Sequence, residues 1–534
     1  MSPKSARPAE TSANGSPAAQ WFLIAVLLVA IFSVSAAARL PNLGRPLAEH
    51  HEWLTATVLR NLDIWWQEGA LRDGFQPIFS YTLPADKWIN DQASEHFDSK
   101  GNYYYTSYGP FAYIAPYAVF KALGQRPSPF GLELFNMVFH FICSVFIFLI
   151  LYEVLRPKRA VEFAAPLLGF VFYVFAPETL WFQSNVYMSD TFVQVFFIVG
   201  IWLFFRFSRH PDSKWLYPIL IGVDVFLMTW TEWIGIFFAA VVGIYALANW
   251  RKPPMRRLFV AVAAGAALAV VLFFAQYSLI SGVGGLVRSS LDKYKLRSGV
   301  TGTSVLRWDD PESWIRIGTH YKGGYAPFLV LAVSLGLATY AMLFVEPARE
   351  ARPLGARAKT ALQFAFLPVL LHHIVFFDFT ANHDFSVLKT AVPLALVLAF
   401  LFEEIRRGVE QVDPKNLTVA VTVLFLVATG FAASRGLHDY RNQEILFRLG
   451  AYRQIGERIK REAKPDEVVF IKRLAPWFTI NPQIVYYAGR NITMWGTEAD
   501  ADALLKQTGS RKALVVIINA NGSMSIEHYA PKTP

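Results

Sequence analysis

WFLIAVLLVAIFSVSAAARLPNLGRPLAEHHEWLTATVLRNLDIWWQEG, residues 21–69, passes directly from an apolar run into a cluster of ionisable side chains. Trp21 to Ala38 carries no charge over 18 residues. A helix crossing a bilayer needs ~20 such residues at about 1.5 Å each. The Ser-Ala-Ala-Ala end resembles a signal-peptide cleavage region, but a signal core is shorter, about 7–15 residues, so a retained helix is expected. Glu49, His50, His51 and Glu52 then stand side by side just past its end. Ionisable residues beside a membrane segment are costly to keep there and mark candidate functional sites.

The rest of the chain repeats the apolar theme. Further runs lie at 133–155, 160–177, 191–207, 215–230, 232–249, 258–281, 324–345, 360–377, 387–403 and 417–434, making eleven candidate spans with the first. Across 534 residues, 54% are hydrophobic and 17% charged, a balance that points to a polytopic α-helical membrane protein. The single cysteine, Cys143, lies inside an apolar run, which excludes an intrachain disulfide and a cysteine-rich metal site.

The net charge of +10 is distributed by topology. RPKR (156–159), RFSRHPDSK (206–214), NWRKPPMRR (249–257), EPAREARPLGARAK (346–359) and EEIRRGVEQVDPK (403–415) fall on every second loop, provided WTEW (230–233) is a turn between two short spans. Lys and Arg are retained on the cytoplasmic side, so these loops and the N-terminus are expected there, and a nucleic-acid surface is not. The opposite face receives residues 39–132, 178–190, 282–323, 378–386 and everything from 435. The working side is therefore expected to be extracytoplasmic.

Three domains follow: a Pro/Ser-rich disordered tail (1–20), a membrane domain (21–434) whose first loop is 39–132, and a small α/β unit (435–534). In the last, AYRQIGERIKREAK (451–464) and ADADALLKQTG (499–509) read as helices, and EVVFIK (467–472), PQIVYYAG (482–489) and ALVVIIN (513–519) as buried strands. Neither GxGxxG nor a P-loop occurs, so no nucleotide cofactor is expected. In the first loop, Leu54, Val58, Leu62 and Trp65 recur at helical spacing, and YTSYGPFAYIAPYAVFKALG (105–124) is aromatic and proline-interrupted. Both suit helices lying in the membrane interface.

This order of a first span ending in Arg-Leu-Pro, an acidic cluster, an interfacial helix and a YGPFAYIAPYAVFKALG segment resembles the GT-C fold membrane glycosyltransferases. The similarity is to the bacterial branch related to protein O-mannosyltransferases and lipid A aminoarabinose transferases. The resemblance implies an acidic catalytic base just after the first span, at Glu49, with Glu52 also eligible because Glu-His replaces the family's acidic pair. FAPETLWFQSNVYMSDTFVQVFF (175–197) resembles the second outer loop, with Asp190 at the position of its acidic residue. FDFTANHDFSVLKTAVP (377–393) is similar to the polar loop before a late span, and brings His383, Asp384 and Lys389 to the membrane boundary.

The implied reaction moves a sugar from a polyprenyl-phosphate donor to a hydroxyl of a lipid, polysaccharide or protein, at the bacterial inner membrane. Glu49 would take the proton, Asp190 would orient the acceptor or a metal, and Lys389, Lys322, Arg297 and His383 would hold the donor phosphate. His50 and His51 could ligate a divalent metal with Glu49, although adjacent helical residues diverge by about 100°. Plainer roles exist for each: Glu52 favours a helix N-terminus, Asp190 opens a helix, and Lys389 can snorkel to headgroups. The pair His372–His373 reads as packed within a span, and Glu232 as a turn residue. An O-antigen ligase or polymerase calls for a long arginine-rich late loop, and a transporter for inverted repeats, neither of which is evident.

Overall fold

A computed structural model describes residues 17–89, 96–210, 213–300, 304–342, 344, 355–447, 451–473, 479–520 and 523–531. Each of the eleven apolar runs is helical over most of its described residues. Among the described residues, eight helices are long and apolar enough to cross a membrane, from Ala18–Asn42 to Asn416–Leu446. The other three runs sit in shorter helices, Ala164–Phe175, Leu216–Thr231 and Ile234–Ala248. The first helix begins at Pro17, inside the expected tail, of which residues 1–16 lie outside the described residues.

Local chemistry sets the helix limits. Ser128 caps Pro129–Leu155 by accepting the Gly131 amide at 3.2 Å, with proline in the first turn where no donor is needed. Glu232 ends Leu216–Thr231 in an extended conformation, and the next helix starts at Ile234, so WTEW is a tight turn. The long helix Pro253–Arg297 kinks at Gly282, whose φ of 71° a side-chain-bearing residue rarely adopts. This helix and Pro311–Met342 occupy most of residues 282–323, expected as loop. Asn416–Phe447 likewise continues beyond the expected boundary at 435.

Alternate connections gather at the two ends of the bundle. At one end, the Trp181 indole donates to the His50 carbonyl at 3.2 Å, and Lys293 reaches Thr106 at 3.3 Å. At the other, Arg209 pairs with Glu153 at 2.7 Å and Arg159 with Glu410. Close crossings depend on glycine: a Cβ on Gly265 would stand 2.1 Å from the Gly222 carbonyl oxygen. Arg39, fully buried at the end of the first helix, bonds His140 and Ser184 at 3.0 Å each. These two bonds tie the end of the first helix to Pro129–Leu155 and to the segment just after Pro177–Phe182.

The first loop is packed rather than splayed. Helix Glu52–Glu68 buries Leu59, Leu62 and Trp65 against Phe111–Leu123, whose Tyr117 hydroxyl donates to the Trp65 carbonyl at 3.1 Å. The C-terminal unit is a four-stranded sheet in the order 492–494, 467–473, 512–518, 524–529. The first three strands are parallel and the last antiparallel. PQIVYYAG, expected as a strand, is the helix Pro482–Ala488. Proline at its first turn and Gly489 at its end outweigh the β-branched run between them. The unit docks on the first loop through Arg490, which pairs with buried Asp86 at 2.9 Å, and through Asn491, whose amide bonds the same carboxylate at 2.9 Å.

Gly265→Ala is expected to lower stability by about 1–3 kcal/mol through overpacking at the helix crossing. Gly336→Ala, where an added Cβ meets nothing within 4 Å, should leave it unchanged or slightly raised. Thermal unfolding of the two variants in detergent reads the difference.

Candidate active site

At the end of the bundle that carries the first loop, five regions enclose a cavity of about 150 Å³. Trp53 and Thr57 come from the start of helix Glu52–Glu68, and Tyr108 from the loop before Phe111–Leu123. Asp190 opens Ser189–Arg209, Arg297 closes Pro253–Arg297, and His383 lies in the late loop. Asp190 is set by its neighbours in sequence: Met188 is extended, its amide donates to Thr191 Oγ1 at 3.0 Å, and that hydroxyl returns to the Met188 carbonyl at 2.8 Å. Arg297 lies across the rings of Tyr108 (5.7 Å) and Phe379 (5.3 Å), which hold its planar head by cation–π contact. An acid and a guanidinium thus share one wall-lined space.

Lys389 has another task. Its ammonium, 0% exposed, pairs with Asp190 Oδ1, 3% exposed, and it does not line the cavity. The expected phosphate contact is replaced by an internal counter-ion for Asp190. Beside it, Glu232 accepts from His372 Nε2 at 2.9 Å, with both side chains buried. Breaking a buried ion pair leaves one charge unmatched and costs about 3–5 kcal/mol.

The Glu49–Glu52 cluster separates into three environments. Glu49 is exposed and accepts the Tyr452 hydroxyl of the C-terminal unit, away from the cavity wall. His50 (φ 51°) and His51 (φ 68°) are both left-handed. That conformation costs about 1–2 kcal/mol for each side-chain-bearing residue. The two positive φ values bring both imidazoles to one carboxylate, with His50 Nε2 2.7 Å and His51 Nε2 2.8 Å from Asp384. A regular helix would have splayed them. Glu52 turns inward to Arg45, which also pairs with Glu444 at 2.9 Å. Burial pushes the Glu52 carboxyl up, opposed by Arg45. Its geometry is that of a structural ion network outside the cavity lining.

His50, His51 and Asp384 offer ligand atoms within 4.8 Å of one another, and two imidazoles with a carboxylate suit Zn²⁺. The carboxylate that stands beside the two imidazoles is thus Asp384, where the sequence suggested Glu49. His383 lines the cavity, but burial first, then the charges of His51 and Arg297, bring its pKa down to about 4. It is neutral at pH 7 and supplies no cation for a phosphate. Lys322 is exposed on helix Pro311–Met342 and lies outside the cavity lining. Arg297 alone of the four expected phosphate ligands is a cation on its wall.

Sequence reasoning passed over Tyr108, Trp53, Arg45 and Tyr452. It also passed over Glu178, fully enclosed on the short helix Pro177–Phe182, where burial and then the Asp384 charge push its carboxyl well up.

A bundle of membrane-length helices, a long packed first loop, a charged cavity at that end and a C-terminal α/β unit define the GT-C fold of membrane glycosyltransferases. ArnT from Cupriavidus metallidurans bound to undecaprenyl phosphate aligns with a TM-score of 0.55 at 12% identity, over 94% of this chain and 93% of that one. The Archaeoglobus fulgidus oligosaccharyltransferase in the apo form gives 0.56 at 12%, over 92% and 69%. Its complex with an inhibitory peptide and a dolichol-phosphate gives 0.54 at 11%, over 94% and 70%. No protein-family model and no curated protein sequence matches.

Two measurements test the site as built. Lys389→Met should destabilise by about 3–5 kcal/mol by stranding Asp190, and adding Asp190→Asn should recover most of it. Because the folded pKa of His383 lies below its usual 6.5, the unfolded chain takes the proton first as pH falls. The stability held above pH 6.5 should therefore be lost progressively toward pH 4, and His383→Phe should flatten a plot of thermal midpoint against pH in that window.

Proposed function

We propose that the protein is an integral membrane glycosyltransferase. In this reading it moves a sugar from a polyprenyl-phosphate donor to a hydroxyl acceptor on the extracytoplasmic face of a bacterial inner membrane. The observation that carries it is the placement of Asp190 and Arg297 on the wall of one cavity, at the end of the bundle opposite the basic loops. Retention of Lys and Arg in the cytoplasm supports that orientation. The cited ArnT and oligosaccharyltransferase structures hold undecaprenyl phosphate and dolichol-phosphate, which supports a donor of this class.

The chemistry follows from the two charges. An acceptor hydroxyl oxygen attacks the anomeric carbon as the bond from that carbon to the phosphate oxygen breaks. The proton passes to the Asp190 carboxylate, which Lys389 holds in place from behind. The phosphate leaves with its charge set against the Arg297 guanidinium, in a site where burial strengthens the contact. A single displacement inverts the anomeric centre. Tyr108 and Phe379 fix the guanidinium, and Trp53 offers an apolar face to the sugar or the first isoprene. A divalent ion at His50, His51 and Asp384 would supply further positive charge beside the cavity. The base falls to Asp190 rather than Glu49 because Glu49 faces Tyr452.

Transfer from a defined polyprenyl-phosphate sugar by purified protein tests this reading. Asp190→Asn is expected to lower kcat by about 10²–10⁴. Arg297→Met should lower it by about 10²–10³. Glu49→Gln should retain most activity. Full activity in the first two variants, with folding preserved, contradicts the assignment.

A further inference from the structure

Residues 47–49 are held almost atom by atom from the far end of the chain. The Leu47 amide donates to the Tyr487 hydroxyl at 2.8 Å, Gln483 Nε2 donates to the Ala48 carbonyl at 2.6 Å, and the Tyr452 hydroxyl donates to Glu49. All three side chains belong to two helices of the C-terminal unit, Tyr452–Glu462 and Pro482–Ala488. Those helices interlock at Gly456, where an added Cβ would stand 2.5 Å from that of Tyr487. Directly after these contacts come His50 and His51 with positive φ. Two consecutive left-handed residues persist only where their surroundings over-determine them.

The turn so held is joined to two walls of the cavity. It leads into Trp53 and Leu54, which line it. Through His50 and His51 it also fixes Asp384, whose neighbours His383 and Phe385 line it from the other side. We propose that the C-terminal α/β unit is a clamp on this turn, and that Tyr487, Gln483 and Tyr452 are positioning residues for the transfer reaction. The proposal rests on the cavity of Asp190 and Arg297 being the reaction site. The unit is itself anchored by the buried Arg490–Asp86 pair and by Asn491 Oδ1, which accepts the Tyr81 amide at 2.9 Å. The clamp therefore acts as a rigid body upon 47–49, and a displacement of about 1 Å at a reacting centre can cost on the order of 10²-fold in rate.

The test is Tyr487→Phe with Gln483→Met in the full chain, read by two observables. The first is amide hydrogen exchange of peptides covering residues 45–54, compared with those covering strands 467–473 and 512–518. The second is kcat for sugar transfer from a polyprenyl-phosphate donor. Exchange at 45–54 should rise with the strands still protected, and kcat should fall about tenfold at an unchanged thermal midpoint. Unchanged exchange at 45–54 overturns the clamp, and raised exchange with intact kcat overturns its role in the reaction. If the strands lose protection, Tyr452→Phe, at the half-exposed edge of the contact, is read in the same way. Wild-type protein that transfers no sugar defeats the functional reading, while the exchange measurement still decides whether the C-terminal unit holds the turn.

Discussion

The buried ion pair between Lys389 and Asp190 is the constraint around which the site is built. A charge at this depth is costly to bury without a partner of opposite sign. Each side chain supplies that partner for the other, and the pair ties the start of helix Ser189–Arg209 to the late loop entering Ala391–Val412. Glu232 and His372 extend the buried polar group to the WTEW turn and to helix Ala356–Val375. Four segments distant in sequence are thereby registered at one end of the bundle, and one carboxylate emerges from them into the cavity. Such a network is poor value as pure stabilisation, since desolvation offsets most of the attraction.

Around this centre the other charged clusters have distinct tasks. Arg45, Glu52 and Glu444 staple the first loop to the last membrane helix, and Asn185 joins them from the second loop. Arg39, His140 and Ser184 fix the end of the first helix from beneath. The His50–His51–Asp384 trio then spans the gap between the first and late loops, and the C-terminal unit grips the backbone just ahead of it. The large first loop is therefore braced from four sides. That explains how a long polar segment can form the walls of a defined cavity.

The membrane-length helices and the helix at 52–68 were legible because each is a statement about composition or period. Asp190 was legible as the first acidic residue of a helix. The partners were not, because pairing belongs to tertiary geometry: Lys389 looked as suited to a phosphate as to Asp190, and Glu52 gave no sign that Arg45 would claim it. The histidines were misjudged for a sharper reason. A helical reading splays His50 from His51, whereas two left-handed residues converge them on Asp384. PQIVYYAG shows the opposite failure, where a β-branched pattern yielded to proline and glycine at its ends. Residues 282–297, expected as loop, are helical because Pro253–Arg297 continues through a glycine kink past the length of a span.

A second recess could take a lipid chain: the apolar groove between Pro311–Met342 and Asn416–Phe447, lined by Val330, Leu424 and Phe431. The most direct test of the account is therefore where a donor lipid sits. Photo-cross-linking of a polyprenyl phosphate carrying its reactive group next to the phosphate, followed by peptide mapping, distinguishes the two. The account predicts labelling of peptides containing Tyr105–Tyr113, Arg297 and Phe379–Phe385, lost in Arg297→Met. Labelling confined to residues 326–334 and 424–439, indifferent to Arg297, would contradict it.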